Sequence, residues 1–215
     1  MKGIILKELY ETFCIKKNLF ALLFLFMLII LFVSFFENLY TFILVVGITL
    51  PLICSTPMQF SMEQDAICEF NTILLTYPLS KKKIILAKYL YCFLFIIGCW
   101  LLSFFITLVY VYIHRTIALY LALEIFIAGM ILSLIVFSIC NIGSTILGSK
   151  KGVNLFIAIS FVFILGYTLS VFNIDVENIL LFDKHLLMLI GTATAFVLLF
   201  VSYYISLWVY TKRYS

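Results

Sequence analysis

Few side chains in this sequence are both reactive and grouped. The two histidines, His114 and His185, each fall in a short polar stretch between apolar runs. Neither belongs to an H-E-x-x-H pattern or has a serine partner inside an apolar run, so intramembrane metalloprotease and serine-protease chemistry have no residues to work with. The six cysteines, Cys14, Cys54, Cys68, Cys92, Cys99 and Cys140, form no C-x-x-C and no Cys/His cluster, so neither a metal site nor a redox motif is signalled. Cys92 and Cys99, seven apart, read as a packing pair on one helix face. The stretch from Gly143 to Lys150 has the glycine spacing of a phosphate-binding loop. Its Ser149 and Lys150 are in reversed order, however, and it closes an apolar run where such a loop follows a strand. Its glycines are read as letting the backbone turn. What remains is an acidic segment. Ser61 and Gln64 make a capping-box pattern and Pro78 a stop, which predicts a helix over 61–76. On it Asp65 and Glu69 share one face, and Ile67, Phe70 and Leu74 another. Such carboxylates can pair with Arg or Lys of a partner protein, while the apolar face enters a groove. The competing reading is a helix lying on the membrane, with Lys81, Lys82 and Lys83 as a topology signal. Acidic residues suit an anionic membrane surface poorly, which favours a protein partner.

The elements that must hold this segment are apolar. Of 215 residues, 66% are hydrophobic and only 11% charged, with a mean hydropathy of +1.25. A soluble domain is about a quarter charged, so an integral membrane protein is the one class compatible with these numbers. Runs long enough to span a bilayer cover about 19–36, 39–60, 84–112, 117–147, 153–172 and 186–210. The third and fourth exceed the need and are expected to tilt. The run from Leu19 follows Lys16-Lys17 but lacks a small-x-small cleavage site, so it is read as a span and not as a signal peptide. Twelve of the fourteen Lys and Arg fall on one side of this layout, and only Arg115 and Lys184 on the other. That asymmetry predicts cytoplasmic N- and C-termini. The net charge of +4 is absorbed by this topology. No basic groove with interleaved aromatic residues is present, so nucleic-acid binding is not expected.

Residues 1–18 predict an amphipathic interfacial helix, with Ile5, Leu9 and Phe13 on its apolar face. Lys2, Lys7, Glu8 and Glu11 occupy its other faces, and Lys7 can pair with Glu11 at i, i+4. Pro51 and Pro57 interrupt the second span just before the acidic segment, a candidate hinge. Asn141, Ser138, Ser144 and Thr145 form a polar stripe in the fourth span, suited to interhelical hydrogen bonds. Glu124 falls near the outer end of that span. The outer loop over 173–185 carries Asp175, Glu177 and Asp183.

The opening Met1-Lys2-Gly3-Ile4-Ile5-Leu6-Lys7-Glu8-Leu9-Tyr10 resembles the start of small ABC-2-type permeases of Gram-positive bacteria. So does the block from Phe60 to Leu90, with its acidic helix, Pro78-Leu79-Ser80-Lys81-Lys82-Lys83 and Ala87-Lys88-Tyr89-Leu90. The likeness is greatest to permeases that export phenol-soluble modulins and related antimicrobial peptides. The resemblance implies an all-α permease of the bacterial plasma membrane that forms a homodimer or close heterodimer and pairs with two ATP-binding cassette ATPase subunits. ATP and Mg would be bound by those subunits, and no cofactor, metal or catalytic residue is expected in this chain. It further implies that the helix between spans two and three is a coupling helix. Glu63, Asp65, Glu69 and Phe70 are then the expected ATPase-docking residues, with amphipathic peptides as cargo. A non-transporting immunity or assembly subunit is the alternative, and an intramembrane enzyme a more distant one.

Overall fold

The computed structural model describes residues 2–68, 70–75, 80–173 and 184–213. Among these, every regular element is helical. The order is α1 (Lys2–Phe13), α2 (Lys16–Phe35), α3 (Leu39–Phe42), a π-helical stretch Ile43–Thr49, α4 (Leu50–Ile53), α5 (Thr56–Ile67), α6 (Phe70–Leu75), α7 (Lys81–Leu108) with a π turn Val109–Ile113, α8 (Leu119–Leu147), α9 (Ser149–Asn173) and α10 (Lys184–Arg213). Six stretches are long and apolar enough to cross a membrane: Lys16–Phe35, Leu39–Ile67, Lys81–Ile113, Leu119–Leu147, Lys151–Leu169 and His185–Arg213. All six expected spans are therefore present, with ends shifted by a few residues. At 1.5 Å per residue, the first is about 30 Å long and the fourth about 44 Å, so the latter must lean or project beyond the hydrocarbon. The outer-loop residues Asp175, Glu177 and Asp183 lie outside the described residues, as do Glu69 and the Tyr77-Pro78-Leu79 segment.

The second span is the hub. More than half of its most apolar stretch is buried within the chain, against 6% for the fifth span. Phe42, Val45, Val46, Leu50 and Ile53 of this span pack with Tyr89, Cys92, Ile96 and Cys99 of α7 and Phe137 of α8. The outer spans keep large apolar side chains such as Phe20, Phe161, Val162 and Phe200 on the outside. Lipid is the natural solvent for such faces.

The hub is also where the backbone departs from α-helix, and proline explains both departures. In the π-helical stretch, the Leu50 N–H bonds the Val45 carbonyl. Pro51 has no N–H to continue that register onto Val46. The Val46 carbonyl instead faces Gly129 of α8, where an added Cβ would sit 2.6 Å from the oxygen. Three residues after Pro51 the helix breaks at Cys54-Ser55, and α5 begins with Pro57 in its first turn. Pro57 cannot donate to the Ile53 carbonyl, so Thr56 Oγ1 donates to it at 2.8 Å, and Ser55 Oγ donates to the Leu52 carbonyl at 2.9 Å. Side-chain hydroxyls thus bond carbonyls at the break within the second span.

The helix after this break starts at Thr56, not at Ser61. The expected separate helix over 61–76 is instead the continuation of the second span, followed by the short α6. Ser61 is buried in the middle of α5, because Pro57 sets the helix start before the capping-box pattern is reached. At the other end of α8 the chain turns through Gly148, whose φ of 86° favours glycine, and enters α9. The Gly143–Lys150 stretch is thus a helix-to-helix turn and not the strand-to-helix loop that cradles phosphate.

Cys54, Cys92, Cys99 and Cys140 are buried, whereas Cys14 and Cys68 are exposed. Native protein in a mild detergent should therefore take up two maleimides per chain, and six only after unfolding. Mass spectrometry of the labelled protein checks this, and modification of the buried four under native conditions would contradict the packing.

Candidate functional site

A cluster of charged residues gathers at the end where α1, α5, α6 and the start of α7 meet. Asp65 lies at their centre, 3% exposed. Its carboxylate accepts from Lys7 of α1 at 2.5 Å, and from Lys88 of α7 on its other oxygen. Lys7 also pairs with Glu11 at 2.7 Å, the expected i, i+4 contact, and with Glu8 at 3.4 Å. Its ammonium sits 4.4 Å from the centroid of the Phe70 ring, within cation–π range. Further bonds seat α1 along its length. Tyr91 of α7 donates its hydroxyl to Thr12, which donates to the Glu8 carbonyl at 3.0 Å. Asn18 at the start of the first span donates to the Glu11 carbonyl at 2.8 Å. Ile4 packs with Leu74, Ile84 and Ala87, and Ile5 lies against them.

Burial and charge act together on these groups. Burial by itself would lower the Lys7 ammonium, but the carboxylates of Glu8 and Asp65 override it, so its pKa is raised. Burial raises the Glu11 carboxyl to about 7, although Lys7 pulls the other way. A buried ion cluster is strongly destabilising to break, because removing one partner leaves a charge without its counterion.

A second polar centre lies within the spans. Tyr89 of α7, Asn141 of α8, and Ser202 and Ser206 of α10 converge. The Asn141 amide donates to the Tyr89 hydroxyl, to Ser202 at 2.9 Å and to Ser206 at 3.3 Å. Of the stripe read from the sequence, Asn141 alone reaches across to other helices among the described residues. Ser138, Ser144 and Thr145 bond carbonyls of their own helix. Replacing Asn141 by leucine should cost about 1 kcal/mol or a little more, the usual scale for interhelical polar contacts in membranes. Thermal unfolding of the purified variant measures it. Glu124 is half-buried about one turn into α8.

The model of the ABC-2 family transporter proteins matches residues 3–211, nearly the whole chain and all six spans. The chain belongs to the ABC-2 transporter family. No curated protein and no solved structure gives a significant match. The protein is therefore a multi-pass membrane permease of an ABC transporter, whose partner is an ATP-binding cassette ATPase. Permeases of this family form the transmembrane component, and the ATPase is the other part.

Within this ABC-2 permease the expected docking residues separate. Asp65 does not face outward. It is enclosed by two ammonium groups and serves as the hub that ties α5 to α1 and α7, because a carboxylate this deeply buried needs such partners. Glu63 remains at the surface, where Lys17 of the first span holds it at 2.6 Å. Phe70 is half-buried beneath Lys7, and Glu69 lies outside the described residues. The surface left open at the end of α5 is apolar: Ala66, Ile67 and Cys68 are exposed, Ile67 by 66%. On α1 the residues of the expected apolar face differ in exposure. Leu9 and Phe13 are outward, Phe13 beside Phe95, while Ile5 is half-buried. The polar face carrying Glu8 and Glu11 is turned inward, which the helix pattern by itself did not indicate. One signal was available. Lys88 stands inside an apolar run, and an ionisable residue there requires a buried partner.

Proposed function

We propose that this permease exports amphipathic or hydrophobic peptides outward across the bacterial plasma membrane. It works as a homodimer or close heterodimer with two ATPase subunits, which bind the ATP and Mg. The observation that carries the reading is the arrangement of α5. It descends from the proline-flanked break in the second span, is clamped at Asp65 to α1 and α7, and ends in an exposed apolar tip at Ile67. A helix fixed to two neighbours and joined to a span through a break is suited to carry a push from a partner into the membrane. Pro51 and Pro57 flank the pivot, Ile67 with Glu63 and Phe70 forms the docking face, and α1 lies in the inner interface with Leu9 and Phe13 toward lipid. The twelve-to-two distribution of basic residues supports cytoplasmic termini, which places α1 and α5 on the side where an ATPase works. Outward apolar faces and the scarcity of charge in the spans favour cargo with a substantial apolar surface over ions.

The test is Ile67→Asp in the co-expressed complex. An isolated aspartate at an apolar contact loses its hydration on docking, so co-purification of the ATPase and cargo-stimulated ATP hydrolysis should fall at least tenfold while the permease still elutes as folded protein. Unchanged association would contradict the docking face and favour an immunity or assembly role. Sidedness is tested separately. In intact cells a membrane-impermeant maleimide should leave Cys14 and Cys68 unmodified, and labelling of either would reverse the orientation.

A further inference from the structure

The ion cluster does not balance. Lys7 and Lys88 bring two positive charges; Glu8, Glu11 and Asp65 bring three negative ones. Carboxylate oxygens of the three acids lie within 4.8 Å of one another. Glu8 is 1% exposed, and its Oε2 has no hydrogen-bond partner. An uncompensated negative charge in such a place is costly. A metal ion is a poor remedy. Asp65 already has both ammonium groups and Glu11 one, so Glu8 Oε2 is the free donor, and a divalent ion would meet two cations at close range.

We infer that the joint between α1 and α5 is a proton-binding site, one proton being held by the Glu11 carboxyl beside that of Glu8, and that losing this proton loosens α1 from the joint. With the proton bound, the charges of the five residues sum to zero. Without it, the α1 face of Lys7, Glu8 and Glu11 carries a net negative charge against Asp65. The other groups facing the pair add no titrating charge near neutrality: the Tyr91 hydroxyl and Cys92 thiol of α7, the Phe70 ring of α6 and the Asn18 amide of α2. The elevated Glu11 carboxyl, 4.5 moved to about 7, gives the same sign. A carboxyl raised in the docked state takes up a proton on docking. Docking is therefore weakest above about pH 7 and strengthens as pH falls from there toward 4.5. The inference does not depend on the cargo or on the ATPase.

The two exposed native cysteines are suitable reporters, since Cys14 lies just past the end of α1 and Cys68 at the end of α5. Nitroxides on both, in the full chain in lipid nanodiscs, report the spacing of the two helices by pulsed dipolar spectroscopy. At about pH 5.5 one short distance is expected, and at about pH 8.5 a second, longer population, the two conditions lying on either side of the titration. Glu11→Gln and Glu8→Gln each remove the excess charge and should abolish the longer population at both pH values. A wild-type distribution that does not change with pH, or a change that persists in both glutamine variants, overturns the inference. If either variant fails to fold, infrared spectroscopy of the wild-type protein decides. A protonated-carboxyl band present at the lower pH and lost at the higher one is expected, and its absence at the lower pH overturns the inference.

Discussion

Asp65→Ala is expected to be among the most damaging single substitutions in the chain, lowering stability by about 3–5 kcal/mol. The carboxylate pairs with both Lys7 and Lys88. Removing it leaves the Lys88 ammonium inside the protein without its partner, and frees α5 from two neighbours together. The loss arises from the orphaned charge and not from a missing contact, which gives the prediction a second half. Asp65→Leu combined with Lys88→Met replaces the pair by apolar groups of similar size and should recover much of the stability, since exchanging a buried ion pair for packed hydrophobic residues is often neutral. Thermal unfolding of the single and double variants measures both. A single variant as stable as wild type, or a double variant worse than the single, would show that Asp65 is not a charge-paired hub.

Gly129→Leu is the second. The space beside Gly129 is filled by the backbone carbonyl of Val46, 2.6 Å from where a Cβ would stand, with the Pro51 ring next to it at 3.6 Å. A carbonyl cannot rotate aside as a side chain can, and Val46 is fixed by the π-helical register that Pro51 leaves incomplete. The second and fourth spans would have to separate. Overpacking costs about 1–3 kcal/mol when side chains can adjust, and more is expected here because backbone must move. Close approach of helices through small residues is also the usual means of packing in lipid. Little folded Gly129→Leu protein should therefore be recovered in size-exclusion chromatography. Gly98→Ala, with nothing within 4 Å of the added carbon, should behave as wild type. Equal recovery of the two variants would mean that the spans are not in contact at this point.

The spans were legible because bilayer thickness dictates length and composition together, and no alternative structure satisfies both. The Pro51 and Pro57 break was legible for a similarly local reason: proline removes a donor wherever it occurs. Ser61 misled because a capping box marks a helix start only if no earlier residue starts the helix, and Pro57 does so. Asp65 and Glu11 misled more deeply. On one helix, a charged stripe looks the same whether it meets water or a complementary stripe. Its fate depended on Lys88, twenty-three residues further on, arriving opposite Asp65 through tertiary packing. Packing also divides the apolar face of Ile67, Phe70 and Leu74: Ile67 stays exposed, whereas Leu74 is buried against Ile4, a split that the helix pattern alone does not show. Lys7 with Glu11 was the part of the joint confined to one helix, and so the part that spacing could give.

The central claim is that this chain is a membrane gate moved by a separate ATPase acting through α5. Reconstitution in proteoliposomes with a fluorescent amphipathic peptide tests it directly, with the permease alone and with its partner ATPase in the presence of ATP and Mg. The peptide should cross only when both proteins and ATP are present, and the permease alone should hydrolyse no ATP. Peptide movement or ATP hydrolysis by the lone permease would contradict the account.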